Sequence, residues 1–194
     1  MKILAIVGSL RTESYNLQLA RAAGAVLAQN HPEVEYELLD WADVPLMNQD
    51  IEHPAPEAVA RVREKVKTAD GIWLFSPEYN HFFPGTLKNL LDWLSRPVSD
   101  TEGQVLRGKP IALAGTTPGM SGTSHAQDHL VTMLSFLQAD IMNAPRLAIP
   151  HIGQQMENGA LSLSSSAPYL EKQAAAFVGF IERHRNRRTE ALLP

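Results

Sequence analysis

The chain has no cysteine, so disulfides, thiolate-bound metals and a cysteine nucleophile are excluded at the outset. It also has no apolar run near the roughly 20 residues that a membrane-spanning helix needs. Met1-Lys2 runs straight into a strand-like segment rather than into the apolar core of a signal peptide. A cytoplasmic location without membrane contact is therefore expected. Neither sign of charge is in strong excess: Lys and Arg number 17, Asp and Glu 21, and the net charge is −4 with histidine neutral. That balance gives no broad attraction for nucleic acid, and no nucleic-acid partner is expected. Two phosphate-binding signatures are missing, Gly-x-x-x-x-Gly-Lys-Ser/Thr and Gly-x-Gly-x-x-Gly. Their absence argues against a nucleoside triphosphatase loop and against a dinucleotide fingerprint. Gly119-Met120-Ser121-Gly122-Thr123 lacks the final glycine of a nucleophile elbow, which sets serine-hydrolase chemistry aside. Internal repeats and low-complexity tracts are missing too.

What remains is an ordinary globular composition, 44% hydrophobic and 20% charged over 194 residues. It suits one domain over residues 1–194. Strand-like and helix-like patterns alternate, the signature of βαβ units on a parallel sheet. Ile3–Val7, Ile72–Phe75 and Ile111–Ala114 are continuously apolar, as central strands covered on both faces must be. Val34–Leu38 alternates apolar with acidic residues and reads as an edge strand. Ile141–Ile149 is a weak last strand that Pro145 confines to the other edge or breaks. Apolar residues at helical spacing mark five helices, one of them opening at Pro84 as its first residue. Gln154–Ser166 reads as a polar loop and His184–Arg188 as a solvated basic end. The expected fold is α/β, a flavodoxin-like doubly wound five-stranded parallel sheet in the order 2-1-3-4-5 with helices on both faces. In that topology ligands bind beyond the carboxyl ends of strands 1, 3 and 4.

Those three ends carry the unusual loops. The first, Gly8-Ser9-Leu10-Arg11-Thr12-Glu13-Ser14-Tyr15-Asn16, joins a buried strand to a helix whose first turn has unpaired N–H groups and the positive end of the dipole. Ser9, Ser14 and Asn16 add side-chain donors and Arg11 a guanidinium fork, which together make a phosphate cradle. The same loop is also compatible with a plain βα turn in which Asn16 is the helix N-cap. The second loop, Ser76–Gly85, has the rigid aromatic and proline content of a wall for a planar guest. The third, Gly115–Gly122, is glycine-rich and lets backbone N–H groups approach a ligand edge. Cradle, wall and N–H row together suit flavin mononucleotide better than an adenine nucleotide.

The motifs in these loops resemble the NADPH-dependent FMN reductase family, small reductases of quinones, chromate and azo dyes. Gly8, Ser9, Arg11, Ser14 and Asn16 complete a Gly-Ser-x-Arg-x-x-Ser-x-Asn pattern. Pro77–Asn80, Pro84–Asn89 and Asp92–Arg96 match Pro-Glu-Tyr-Asn, Pro-Gly-x-Leu-Lys-Asn and Asp-Trp-x-Ser-Arg. Asp43–Asp50 and Gly108-Lys109-Pro110 are also similar to the family, and the likeness runs from Met1 to about Asn143. It implies FMN as cofactor, with NADPH or NADH as hydride donor and a small-molecule electron acceptor. The implied cofactor-binding residues are Ser9, Arg11, Ser14, Tyr15, Asn16, Pro77, Glu78, Tyr79, Asn80, Thr116, Thr117, Gly119 and Gly122. Phe82 and Phe83 would line the substrate pocket. A homodimer or homotetramer is implied, with Pro45–Asp50 near the interface. Phe82 stands where the family commonly has a small serine, Gly122-Thr123 where it has Gly-Gly, and His125 where it often has arginine.

No catalytic side chain is expected, because hydride transfer is carried by the flavin N5 and the protein orients the partners. Glu78 fits the fixing of its loop better than a role as general acid. His125 and His129 share one helix face at i, i+4, but no third ligand stands out and no metal is expected. The expected activity is ping-pong transfer of two electrons to quinones or similar acceptors, azo dyes, chromate, nitro compounds and free flavin among them. A flavodoxin-type electron carrier or a non-catalytic flavin-binding protein is the alternative.

Overall fold

The continuously apolar runs become the middle of a parallel sheet. The computed structural model describes residues 1–190, so residues 191–194 of the expected single domain lie outside the described residues. The elements are β1 (Lys2–Val7), α1 (Tyr15–Asn30), β2 (Glu35–Leu38), α2 (Glu57–Thr68), β3 (Gly71–Phe75), α3 (Gly85–Leu94), β4 (Pro110–Thr116), α4 (Ser124–Phe136), β5 (Asp140–Ile141), β6 (Leu147–Ile149), β7 (Met156–Glu157), β8 (Ala160–Leu161) and α5 (Ala167–Glu190). The main sheet runs β2-β1-β3-β4-β5, with β6 also on β4, and every pairing in it is parallel. This is the flavodoxin-like order.

Side chains alternate across each strand, so each central strand feeds two cores. Ile3, Ala5, Val7, Trp73 and Phe75 face α1 and α5, packing with Leu19, Leu27, Leu170 and Phe177. Leu4, Ile6, Ile72, Leu74 and Leu113 face α2, α3 and α4, against Val62, Leu87, Leu90, Leu130 and Leu134. Polar side chains are also buried within this packing. Gln173 of α5 is fully buried and every polar atom it has is used. Its Oε1 accepts from Trp73 Nε1 at 3.1 Å, and its Nε2 donates to the carbonyls of Leu113 and Pro145 at 2.8 and 2.9 Å.

At the wet edge, Lys2 bridges Glu35 and Glu37 at 3.0 and 2.7 Å, and Lys65 of α2 reaches Glu37 at 2.8 Å. These cations hold the Glu37 carboxyl below its ordinary range, Lys2 contributing most.

The last strand is broken into β5 and β6, which pair with opposite ends of β4; Pro145 lies in the gap and has no N–H for the ladder, one of the two outcomes expected of it. Three expectations are corrected. Pro84 is the N-cap of α3 rather than its first residue. The N-cap of α1 is Ser14, whose hydroxyl accepts from Leu17 N at 3.3 Å, and not Asn16. Residues 154–166 contain the antiparallel hairpin β7–β8, turned by Asn158 and Gly159 at φ 52° and 80°, as an Asn-Gly type I′ turn requires. The basic end is the last part of α5: residues 185–187 are exposed, as expected of a solvated end, while His184 Nδ1 pairs with Asp140 Oδ2 at 2.8 Å.

Candidate functional site

Parallel strands that end at one level place their following loops side by side. The loops after β1, β3 and β4 meet in this way around a cleft of about 400 Å³. Short backbone bonds fix their relative heights: Gly8 N donates to Phe75 O at 2.7 Å and Ser76 N to Ala114 O at 2.9 Å. Gly115 lets the strands come that close, because a methyl group there would overlap Thr123 Oγ1 and the Ser76 carbonyl.

The first loop folds over itself before α1. Arg11 N donates to Ser9 Oγ at 3.3 Å, and Ser14 N to Arg11 O at 3.1 Å. Ser14 then caps the helix through its oxygen lone pair, which leaves its hydroxyl proton to donate elsewhere. The Arg11 guanidinium lies 3.6 Å from Glu13 Oε2 and 5.8 Å above the Tyr15 ring, largely in solvent. Asn16 behaves differently from the donor role expected of it. Its Nδ2 donates to Thr116 O at 3.1 Å and its Oδ1 accepts from Thr116 N at 3.0 Å. The amide clamps the end of β4 to the start of α1.

The second loop reverses tightly. Tyr79 and Phe82 exchange two backbone bonds, of 2.8 and 3.0 Å, across Asn80 and His81, both left-handed at φ 54° and 62°. Tyr79 stays half in solvent and Phe83 is driven into the core. Phe82 stacks on Phe83 at 4.5 Å and on His129 at 4.2 Å. The Glu78 side chain is only 6% exposed; its Oε2 accepts from Ala126 N at 3.1 Å, and its Oε1 lies 3.1 Å from His125 Nδ1. Burial alone would raise this carboxyl, but the bonds from Ala126, Ser121 and His125 outweigh it and hold it below its ordinary value.

The third loop leans on the segment after β6. Thr116 Oγ1 and Thr117 N both donate to Ile149 O, at 2.9 and 3.2 Å. His151 N donates to Gly119 O at 3.0 Å, and Ile152 N to Thr117 O at 3.1 Å. Gly122 turns the chain at φ 56° against the Ala148 carbonyl, and Thr123, left-handed at φ 75°, starts α4.

The structure thus gathers Ser9, Arg11, Ser14, Tyr15, Asn16, Pro77, Glu78, Tyr79, Thr116, Thr117 and Gly119 on one cleft. Asn80, Gly122, Phe82 and Phe83 are not on its lining, whereas Pro118 and Ser121 are. Those two lie inside the Gly115–Gly122 stretch, so the glycine-rich pattern pointed to them without singling them out. One end of the cleft offers a helix N-terminus, two hydroxyls and a guanidinium to an anion. Its flank is a proline and an aromatic ring, and its far rim is backbone. A hollow of about 480 Å³ at the other end of the sheet also holds cations, but Lys67 there pairs with Glu102 at 2.6 Å and Arg185 with Asp70 at 4.0 Å.

Residues 1–154 match the family described as NADPH-dependent FMN reductase. The chain is 34% identical to the 2-hydroxy-1,4-benzoquinone reductase of a Burkholderia species, over 95% of this chain and 98% of that protein. It is also 34% identical to the quinone reductase of Escherichia coli K12, over 94% and 96% of the two chains. Among solved structures, the flavoenzyme NAD(P)H:(acceptor) oxidoreductase FerB from Paracoccus denitrificans superposes with a TM-score of 0.83 at 32% identity, covering 94% of this chain and 98% of that one.

Proposed function

This chain belongs to the NADPH-dependent FMN reductase family, oxidoreductases that work with FMN and a nicotinamide donor, and we propose that it passes two electrons by a ping-pong scheme to quinones or similar planar acceptors. Azo dyes, chromate, nitro compounds and free flavin fall in the same acceptor class. The observation that carries this reading is the convergence of three strand-end loops on one cleft with a single anion-binding end.

When bound, FMN supplies hydride-accepting chemistry. The chain's own residues supply position and charge. Ser9, Ser14 and the first turn of α1 would hold the phosphate, with the exposed Arg11 fork, which lies over Tyr15, available to it. Pro77 and Tyr79 would flank the ring. The N–H groups left to border the ring edge would be those of Gly119, Met120 and Ser121, because Thr116 N is bonded to Asn16 Oδ1, Thr117 N to Ile149 O, and Pro118 has none. Glu78 does no proton transfer in this scheme: as a carboxylate held by Ala126 N–H it ties the second loop to α4. Asn80 and Gly122 act through the turns they permit. One open side then serves donor and acceptor in turn, which is the basis for the ping-pong order.

Leu46 supports an oligomer of at least two chains, with its loop at the interface. Asn89 and Trp93 of α3 pin that loop at Pro45 and Met47 with bonds of 2.7–2.8 Å, yet Leu46 is 83% exposed. A rigidly held bare leucine suits a contact surface.

Purified protein should release FMN, identified by mass, and oxidise NAD(P)H with a quinone to give parallel initial-rate lines at several quinone concentrations. Intersecting lines would overturn the ping-pong order. A bound flavin that NAD(P)H fails to bleach would favour the electron carrier. Arg11→Ala should weaken FMN binding by about 1.5–3 kcal/mol, the range for a hydrogen bond to a charged group.

A further inference from the structure

Three potential metal ligands meet where the second loop touches α4. Glu78, His81 and His125 each present one ligand atom, and these atoms lie within 4.8 Å of one another. The geometry points to a binding site for a divalent transition-metal ion of the zinc class, made by Glu78, His81 and His125 and open to water at its fourth position.

The donor set fits the ion. Two imidazoles and one carboxylate are the ligands of three-coordinate protein zinc sites that keep a fourth position open. Zinc–ligand bonds of about 2.0–2.2 Å place tetrahedral ligands roughly 3.3 Å apart. The Glu78 Oε1 to His125 Nδ1 separation of 3.1 Å is already that edge. His81 closes the remaining gap by side-chain rotation alone, because its ring is exposed and lies edge-on to His125 with centroids 4.6 Å apart. The carboxylate is oriented in advance: Glu78 Oε2 is taken by the Ala126 N–H, which leaves Oε1 turned towards the imidazoles. Such a second bond is what fixes a ligand for a metal.

The backbone contributes as well. His81 stands in the left-handed half of the Tyr79–Phe82 turn, and that turn throws its ring across to α4. His129, one helical turn beyond His125, is engaged instead with the Phe82 ring at 4.2 Å. The helix pair His125 and His129 is therefore not the chelating unit; the partner of His125 comes from another loop. Glu78 also borders the cleft, so the ion's open position lies at the cleft's rim. A helix N-terminus beside the ion opposes a cation, which weakens binding by roughly two- to fivefold.

The test is calorimetric titration of the FMN-loaded, untagged protein with zinc chloride, alongside cobalt(II) difference spectra outside the flavin bands. One ion per chain and tetrahedral cobalt absorption are expected. His81→Asn, which keeps a residue tolerant of left-handed backbone, and His125→Gln should each weaken binding by more than about tenfold, while His129→Gln and His31→Gln leave it unchanged. Folding of each variant is checked by circular dichroism and by retained flavin. No stoichiometric binding, or binding that survives both His81→Asn and His125→Gln, would overturn the proposal. So would loss on His129→Gln with no loss on His81→Asn, which would locate the ion elsewhere on α4.

Discussion

Two glycines of one loop separate at the scale of single residues. A methyl group at Gly115 would collide with the Ser76 carbonyl, which is backbone and cannot swing aside, whereas one at Gly119 meets nothing within 4 Å. Gly115→Ala should therefore cost about 1–3 kcal/mol, the usual range for overpacking, and Gly119→Ala stay within about 0.5 kcal/mol. Urea unfolding midpoints of the two variants check this. The sequence announced both as members of a glycine-rich run and could not rank them. Asn16 shows the same limit. Its place in the Ser-x-Asn pattern was readable, but its amide is committed to Thr116, 100 positions along the chain. Phe83 was misplaced for a related reason. The Tyr79–Phe82 reversal decides which aromatic faces out, and Asn80-His81 is a weaker turn signal than Asn-Gly.

The elements were the most legible level. Uninterrupted apolar strands and single-faced helices are products of burial, and burial leaves a periodic trace. The β7–β8 hairpin also left a trace, the Asn158-Gly159 pair, inside a stretch whose polarity suggested only loop. Gln173 left none, since its value lies in three partners contributed by β3, β4 and Pro145. Gln173→Leu keeps the volume and strands the Trp73 N–H and at least one carbonyl in the core. It should destabilise the protein by about 1–3 kcal/mol for each group left without a bond, read by thermal or denaturant unfolding. At the sheet edge, Glu37 is held low by Lys2 and Lys65. A carboxyl depressed on folding adds stability above its unfolded range and loses it as pH falls through its folded value. Glu37→Gln should thus lower stability at neutral pH, by no more than about 1 kcal/mol after solvent screening. The difference from the parent should vanish in acid. A gap that widened as pH fell would contradict the assignment.

For the whole molecule, the proposed assembly is the accessible question. Leu46→Asp places a charge on an exposed side chain of a loop that α3 holds at Pro45 and Met47 rather than at Leu46. Folding should be unaffected, and light scattering should show the assembly shifted towards single chains. A parent that is already monomeric at micromolar concentration would remove the interface. Oligomeric state was not readable from composition, because one exposed leucine weighs nothing in an average and acquires meaning only when its neighbours are seen to hold it still.

The bracing of the third loop by residues 149–152 has a consequence in time. A ribosome delivers β1, Ser9 and Arg11 first, and α1 and β3 soon after. Yet the floor of the cleft is tied to Ile149, His151 and Ile152, and α1 is itself tied through Gln18 to Leu161, 143 positions later. Closing such long chain segments is slow compared with forming a helix. A growing chain therefore carries its anion-binding residues long before it has a cleft to use them in. Cofactor capture becomes one of the last events of synthesis, and a chain halted before residue 149 would carry the motifs without the means to retain a flavin.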